Sequence, residues 1–407
     1  MERLHIAFFG AVNSGKSTLV NAIAGQQVSL VSPVPGTTTD PVRKAIELPL
    51  GIGPAVLIDT AGLDDSSILG AERRRRTLAI LDQTDIAVIV RPMSQNEGHP
   101  AQKGRETAAD VPDIGTLAAQ AGIPVICYTR GETVESLLAR IAAARPAEEN
   151  PYLTGNLVQE GDTVLLVMPQ DSEAPKGRII LPQVQVLREL LDRRCNALCC
   201  TPESLAGASA SLRERPALVI TDSQVFGLVD RSIPKDWPLT SFSILLASAK
   251  GDIRTFTEGA QAIGRLNSRS RVLIAEACTH VPDTEDIGRV KIPNLLRKRV
   301  AASGILSGEH FSARRTKYPS CDLPDDKLSS GPRIDIAAGN DFPEDLSPYD
   351  LIIHCGACVA NRQTVRARTR KARLAGVPIT NYGIALAYLQ GILERVVIPG
   401  PASRKEG

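Results

Sequence analysis

Near the N-terminus, Gly10-Ala-Val-Asn-Ser-Gly15-Lys16-Ser17 fits the pattern G-x-x-x-x-G-K-[ST] at every position. The glycines let a backbone wrap closely around phosphate groups. The N–H groups of such a loop, with the N-terminus of a following helix, supply fixed positive potential. Lys16 is expected to reach the β- and γ-phosphates, and the Ser17 hydroxyl to hold Mg²⁺. Asp59-Thr-Ala-Gly62 ends a second apolar run. There Asp59 can bind the metal through water and the Gly62 N–H can meet the γ-phosphate. Pro35-Gly-Thr-Thr-Thr-Asp40 lies between them, where a switch segment belongs, and one of Thr37, Thr38 and Thr39 is expected to complete the metal shell. The expected nucleotide site is therefore Gly10, Asn13, Ser14, Gly15, Lys16, Ser17, Thr18, Thr37, Thr38, Thr39 and Asp59. Lys16, Asp59 and Gly62 act on the reacting phosphate.

A second set of reactive residues stands in the last third of the chain. Cys278-Thr-His280 follows one apolar run, and His354-Cys355-Gly-Ala-Cys358 follows another. If both runs are strands of one parallel sheet, the two groups share the crevice at the strand C-terminal ends. Three thiolates with nearby histidines suit Zn²⁺ or an iron–sulfur cluster. Three protein thiolates on a cluster leave one iron for an exchangeable ligand. Spacing alone does not separate these metals, nor does it exclude a thioredoxin-like redox pair at Cys355 and Cys358. Cys195, Cys199, Cys200 and Cys127 read as small buried hydrophobes on strands, with Cys199 and Cys200 on opposite faces. Cys321 reads as a surface thiol.

Alternating strands and helices must position these groups. Strands are predicted at His5–Gly10, Ala45–Leu48, Ala55–Ile58, Ile86–Val90 and Pro124–Cys127, the last two buried. Helices are predicted at Lys16–Ala24 and Glu132–Ala144. Beyond a polar stretch at Arg145–Thr154 come strands Asp162–Met168, Ala197–Cys200 and Ala217–Thr221, with helices Pro182–Arg194 and Pro202–Leu212. The last part has strands Arg271–Glu276, Asp350–His354 and Val377–Thr380, with helices Ile253–Leu266, Asn361–Ala375 and Ile384–Val396. Ser303–Ile334, polar and rich in Gly, Pro and Ser, is predicted to be a long loop or insertion. The fold class is α/β: an N-terminal P-loop doubly wound sheet, then two further α/β domains with mostly parallel sheets. The expected boundaries are 1–148, 149–250 and 251–407.

The chain has 407 residues, 43% hydrophobic and 23% charged, which is the balance of a globular protein with real cores. A net charge of +2 gives no electrostatic case for nucleic-acid binding, so no nucleic-acid partner is expected. No apolar run reaches a membrane span, and no membrane partner is expected. A phosphate loop so near the start, without a secretory cleavage site, points to the cytoplasm. Eight cysteines there are thiols or metal ligands rather than disulfides. The helix Asn361–Ala375 carries Arg362, Arg366, Arg368, Arg370, Lys371 and Arg373; a solvated face is its simplest reading, and an anionic partner the other.

The first 145 residues resemble the GTPases of tRNA modification and ribosome assembly. That resemblance implies that Asn13 helps hold a K⁺ ion supplying charge near the phosphates. Leu63 stands where other GTPases carry a catalytic Gln, so slow hydrolysis is implied. The guanine-reading Asn-Lys-x-Asp motif, due after a strand before the last helix of this domain, is missing, and Tyr128-Thr-Arg-Gly131 reads as a later loop. Over nearly its whole length the chain resembles the GTPase maturases of iron-only hydrogenase, the HydF scaffold family. The runs that carry this are Leu239-Thr-Ser-Phe-Ser-Ile244, Glu285-Asp-Ile-Gly-Arg-Val-Lys-Ile-Pro293, Asp341-Phe-Pro-Glu-Asp345 and Pro378-Ile-Thr-Asn-Tyr-Gly383, beside the two cysteine groups. The resemblance implies a GTPase domain, a dimerisation domain and a cluster domain in a homodimer. It implies a [4Fe–4S] cluster on Cys278, Cys355 and Cys358, with His280 or His354 as a labile fourth ligand. It also implies a transient diiron precursor carrying CO and cyanide, radical-SAM maturases upstream, and apo iron-only hydrogenase as recipient. The alternative is a GTPase of tRNA modification or ribosome assembly, which has no use for the clustered cysteines.

Overall fold

A computed structural model describes residues 3–11, 13–25, 41–60, 79–91, 114–146, 152–170, 179–277, 286–306, 331–339, 341–358 and 360–400, with side chains of 303–306 left out. The chain divides into two compact units, Met1–Ala147 and Glu148–Gly407.

The first unit holds strands β1 (Leu4–Phe9), β2 (Val42–Leu48), β3 (Gly53–Asp59), β4 (Ile86–Arg91) and β5 (Val125–Thr129), with helices α1 (Lys16–Ala24), α2 (Ile114–Gln120) and α3 (Val134–Ala144). The sheet order is β2-β3-β1-β4-β5. Only β2 runs antiparallel, paired with β3; the other pairs are parallel. Successive residues of β1 point to opposite faces. Ile6 and Phe8 join a core with Leu137 and Ile141 of α3, while Ala7 and Phe9 join one with Ile114 and Ala118 of α2. Among the described residues β5 is an edge, and its residues alternate between exposed and buried. That corrects the sequence expectation of a buried strand, and it leaves Cys127 exposed rather than buried.

The second unit contains two four-stranded parallel sheets. The first is built from β6 (Thr163–Val167), β7 (Asn196–Cys200), β8 (Leu218–Thr221) and β9 (Leu239–Ser241) in the order β7-β6-β8-β9. Helices α4 (Leu181–Asp192), α5 (Leu205–Ser211), α6 (Phe226–Ser232) and α7 (Phe242–Lys250) alternate with these strands. After α8 (Ile253–Ala260), the second sheet comprises β10 (Arg271–Ala275), β11 (Arg333–Ala337), β12 (Leu351–His354) and β13 (Ile379–Asn381), ordered β11-β10-β12-β13. Its helices are α9 (Ile292–Leu306), α10 (Arg362–Leu374) and α11 (Tyr382–Leu389). The same strand order thus occurs twice. In both sheets the last short strand runs straight into a helix capped by its own side chain. Ser241 accepts from Ile244 N–H, and Asn381 accepts from Ile384 N–H.

Each sheet turns one face to a shared core. Leu165 and Val167 of β6 and Val272 and Ile274 of β10 belong to one buried cluster with Phe226, Tyr382 and Tyr388. The alternate residues, Val164 and Leu166 or Leu273 and Ala275, face separate outer clusters. The expected insertion at 303–334 is narrower at both ends, because α9 continues to Leu306 and β11 begins at Arg333. Cys199 is exposed on the edge strand β7, not buried as expected, while Cys200 packs against the shared core. Burial, with Cys199 beside it, pushes the Cys200 thiol up to about 11.

Gly259 of α8 lies directly on β13: a Cβ there would stand 2.0 Å from the Ile379 carbonyl oxygen. Backbone cannot swing aside as a side chain can. Gly259→Ala is therefore expected to lower stability by about 2–3 kcal/mol, seen as a lower denaturant midpoint at unchanged slope. An unchanged midpoint would contradict this helix–strand contact.

Candidate functional site

The phosphate loop leaves β1 at Gly10, whose φ is 155°. A Cβ at this position would meet the Val90 carbonyl oxygen at 2.5 Å and Ser14 Oγ at 2.8 Å, so only glycine fits. Asn13 and Gly15 also take positive φ, 61° and 98°, and Asn is among the side chains that tolerate this region. Lys16 begins α1 and is 6% exposed. Its Nζ donates to the carbonyls of Gly10 (3.0 Å) and Ala11 (2.7 Å), so the ammonium lies along the loop where phosphate oxygens would be met. Thr18, two residues further along α1, is exposed. The Ser14 hydroxyl is buried without a hydrogen-bond partner among the described residues.

Ser17 Oγ donates to Asp59 Oδ2 at 2.6 Å, which brings together the two groups expected on Mg²⁺. Asp59 is fully buried at the end of β3, beside Phe8 in the β1–β3 ladder. Thr60, next in sequence, ties this strand end to β1, its hydroxyl donating to Phe8 O at 2.6 Å. A fully buried carboxylate against a hydroxyl, facing a lysine-bearing glycine loop, fits a phosphate-bound Mg²⁺. Thr37, Thr38, Thr39 and Gly62 lie outside the described residues.

The strand before the last helix of this unit is β5, and the residues closing it are Thr129-Arg130-Gly131-Glu132. No Asn-Lys-x-Asp stands in this segment. Glu132 is folded over the turn. It accepts from Thr129 N–H at 3.1 Å and from Arg140 Nη2 at 2.8 and 2.9 Å. Thr133 then caps α3.

The cysteine site stands on the second parallel sheet. β10 and β12 are adjacent, with Ala275 level with His354. Cys355 N–H donates to Ala275 O at 2.9 Å. Cys355 Sγ accepts from Ala277 N–H at 3.1 Å and from Ala357 N–H at 3.4 Å. Two backbone donors on one sulfur favour its thiolate form, the form that binds metal. Ala277 immediately precedes Cys278 in sequence; Cys278 and His280 lie outside the described residues. Cys358 is half-buried at the end of the same turn, after Ala357 with φ 53°.

The runs quoted from sequence converge behind this turn. Arg289 Nη2 donates to the buried Glu276 carboxylate at 2.8 Å, and Asp286 caps the π-helical turn Ile287–Lys291 by accepting from Arg289 N–H. A Cβ on Gly288 would stand 1.9 Å from the Tyr382 hydroxyl. Arg368 of α10, 6% exposed, donates to Glu276 O (3.2 Å) and to Gly339 O, and lies 5.0 Å over the Phe342 ring.

His354 is buried, with both ring nitrogens engaged. Nε2 meets Arg368 Nη1 at 3.1 Å, and Nδ1 lies 2.9 Å from Cys355 O. The guanidinium has only donors, so Nε2 accepts and Nδ1 carries the proton. Burial, then the neighbouring Arg368 charge, pushes its pKa down to about 3. In this arrangement both ring nitrogens are held by neighbouring groups, and His354 helps to orient the turn.

Lys250, absent from the sequence reading, ends α7 from the other sheet and is 7% exposed. Its Nζ donates to Ala357 O and Ala360 O at 2.8 Å and to Cys358 O at 3.4 Å. An isolated lysine in sequence gives no signal for such a role; it becomes visible only when α7 meets the cysteine turn.

Residues 5–126 match the model of a 50S ribosome-binding GTPase. The chain is 35% identical over 150 residues to the tRNA modification GTPase MnmE of Maricaulis maris, covering 34% of either chain. It is 41% identical over 99 residues to that of a Thermus thermophilus strain, covering 23% of this chain and 22% of the relative. It thus spans about a third or less of the length of these relatives. Among solved structures, Era of Aquifex aeolicus aligns with a TM-score of 0.27 at 17% identity, over 49% of this chain and 93% of that one. No described helix is long and apolar enough to cross a membrane. Residues 153–251 match the hydrogen maturase F dimerization domain, and residues 254–323 and 315–399 match the hydrogen maturase F tetramerization domain. With a P-loop GTPase domain ahead of these two, the chain belongs to the hydrogen maturase F family.

Proposed function

We propose that this protein is a GTP-hydrolysing scaffold that binds a [4Fe–4S] cluster and carries a diiron precursor, bearing CO and cyanide, to apo iron-only hydrogenase. The observation that carries the cluster reading is the sulfur of Cys355 seated against Ala277 N–H, where β12 and β10 end side by side. Cys278, Cys355 and Cys358 would hold the cluster, with His280 or His354 as candidate for the fourth position. A cluster on three thiolates supplies one iron with an exchangeable site. The chain's own residues supply orientation: Arg368 and His354 fix the strand end, and Arg289 with Asp286 fixes the segments flanking Cys278. Upstream, radical-SAM maturases would provide the precursor.

In the first unit, Lys16, Ser17 and Asp59 would hold Mg²⁺ and the phosphates of GTP, Gly62 the γ-phosphate, and Asn13 a K⁺ ion. Residues 1–148, 149–250 and 251–407 would then serve as GTPase, dimerisation and cluster domains. The homodimer reading is supported by the matched dimerization domain and by Leu181, Val184 and Leu191, exposed on α4.

Anaerobic reconstitution with iron and sulfide, followed by absorption and electron paramagnetic resonance, tests the proposal. Wild type is expected to form a [4Fe–4S] signal, and Cys278→Ser, Cys355→Ser and Cys358→Ser to lose it. No cluster in the wild type, or an undiminished one after Cys278→Ser, would overturn the reading.

A further inference from the structure

α10 carries more positive charge than its role beside the cysteine turn needs. Arg368 points inward, as do Val365 and Ala372. Arg366, Arg370 and Arg373 lie on a different face, lining a cavity of about 550 Å³. The opposite wall is the α7–α8 junction, with Ser248, Asp252 and Arg254, and a third side is closed by the late residues Pro399 and Gly400. Four arginines against one aspartate give this lining a formal charge of +3. Asp252 caps α8 through Arg254 and Thr255 N–H and also pairs with Arg373 at 3.2 Å, so its single charge is already shared.

We propose that this cavity is a binding site for a small anion with two or more phosphoryl groups. Arginines at i, i+4 and i+7 of a helix spread their charge over about 10 Å, longer than a single oxyanion. Every cation in the lining is an arginine; Lys371, the lysine of the same helix, is not in it. The guanidinium fork matches pairs of phosphate oxygens. The volume falls within the range of small-ligand pockets, about 300–1,000 Å³. Three chain segments border it, and the span of about 10 Å along α10 is that of a compact ligand. The site lies in the second unit and is separate from the phosphate loop.

The test is pyrophosphate binding by calorimetry to the full-length chain carrying Lys16→Ala, which silences the phosphate loop. Binding is expected, and Arg366→Ala with Arg370→Ala should weaken it by about tenfold or more, since each lost charge-assisted bond counts. Arg213→Ala with Arg215→Ala, removing equal charge elsewhere, should leave the affinity within about twofold. Circular dichroism of all variants should coincide. Absence of binding, equal losses in the two double variants, or tighter binding of a hexaglutamate peptide than of pyrophosphate would each overturn the assignment.

Discussion

Lys250→Met is expected to empty the cysteine site of iron while leaving GTP hydrolysis intact. The Lys250 ammonium answers three carbonyls of the turn that contains Cys358, in a position 7% exposed. Methionine fills the same space without a donor. The carbonyls of Ala357, Cys358 and Ala360 then lose their common partner in a place where water is largely excluded, at about 1–3 kcal/mol for each buried group left unmet. Ala357 adds to the effect, because its positive φ is strained in a non-glycine residue and needs the surrounding bonds to persist. A net loss of about 3 kcal/mol corresponds to a melting temperature lower by roughly 6–12 °C for a unit of this size. Iron and sulfide per chain after anaerobic reconstitution should fall severalfold, with the melting curve read on the same sample. Wild-type iron content at an unchanged melting temperature would show that the clamp does not hold the turn.

The converse is expected of Lys16→Ala. GTP hydrolysis should fall by about 10²–10³-fold, the usual effect of losing one preorganised charge at a developing anion. Cluster formation should stay at the wild-type level. The lysine is held by two loop carbonyls, Gly10 O and Ala11 O, and the second belongs to an exposed residue that water can reach when the lysine goes. Sites in separate units with no shared partner add independently. The double variant Lys16→Ala with Lys250→Met should therefore show both losses and no more. Steady-state turnover and iron content measured on the two single variants and the double check this. Retained turnover in Lys16→Ala would remove Lys16 from the reacting phosphate.

The phosphate loop was fully legible in the sequence because its chemistry is local. Eight consecutive residues between a strand and a helix carry it, and the structure has Ser17 against Asp59 as that chemistry requires. The strand ends at 275 and 354 were legible for the same reason, since four or five consecutive apolar residues mark a buried parallel strand. What escaped was short or non-local. β9 has three residues, too few for any period. β11, Arg-Ile-Asp-Ile-Ala, alternates charge with apolar side chains at an edge beside a polar stretch, and was absorbed into it. Lys250 acts on residues more than a hundred positions away. The doubled sheet order left almost no sequence trace beyond the strand–cap–aromatic step at Ser241-Phe242 and Asn381-Tyr382.

The last described residues are bound into the middle of the chain. Val396 bridges to Leu239, Val397 N–H donates to Leu239 O, and Gly400 N–H donates to Asn156 Oδ1. Arg395 pairs with Asp230 and donates to the carbonyls of Pro234 and Lys235. During synthesis, then, β9 must wait for some 155 further residues to leave the ribosome before its outer edge is covered. The GTPase unit, which precedes β9 in the chain, can be complete long before that. Contacts spanning so much chain are slow to form and leave an unpaired edge open meanwhile. A nascent chain stalled after residue 390 would accordingly present a finished nucleotide domain followed by a sticky, half-built scaffold, and shielding that interval is where a chaperone would matter most to this protein.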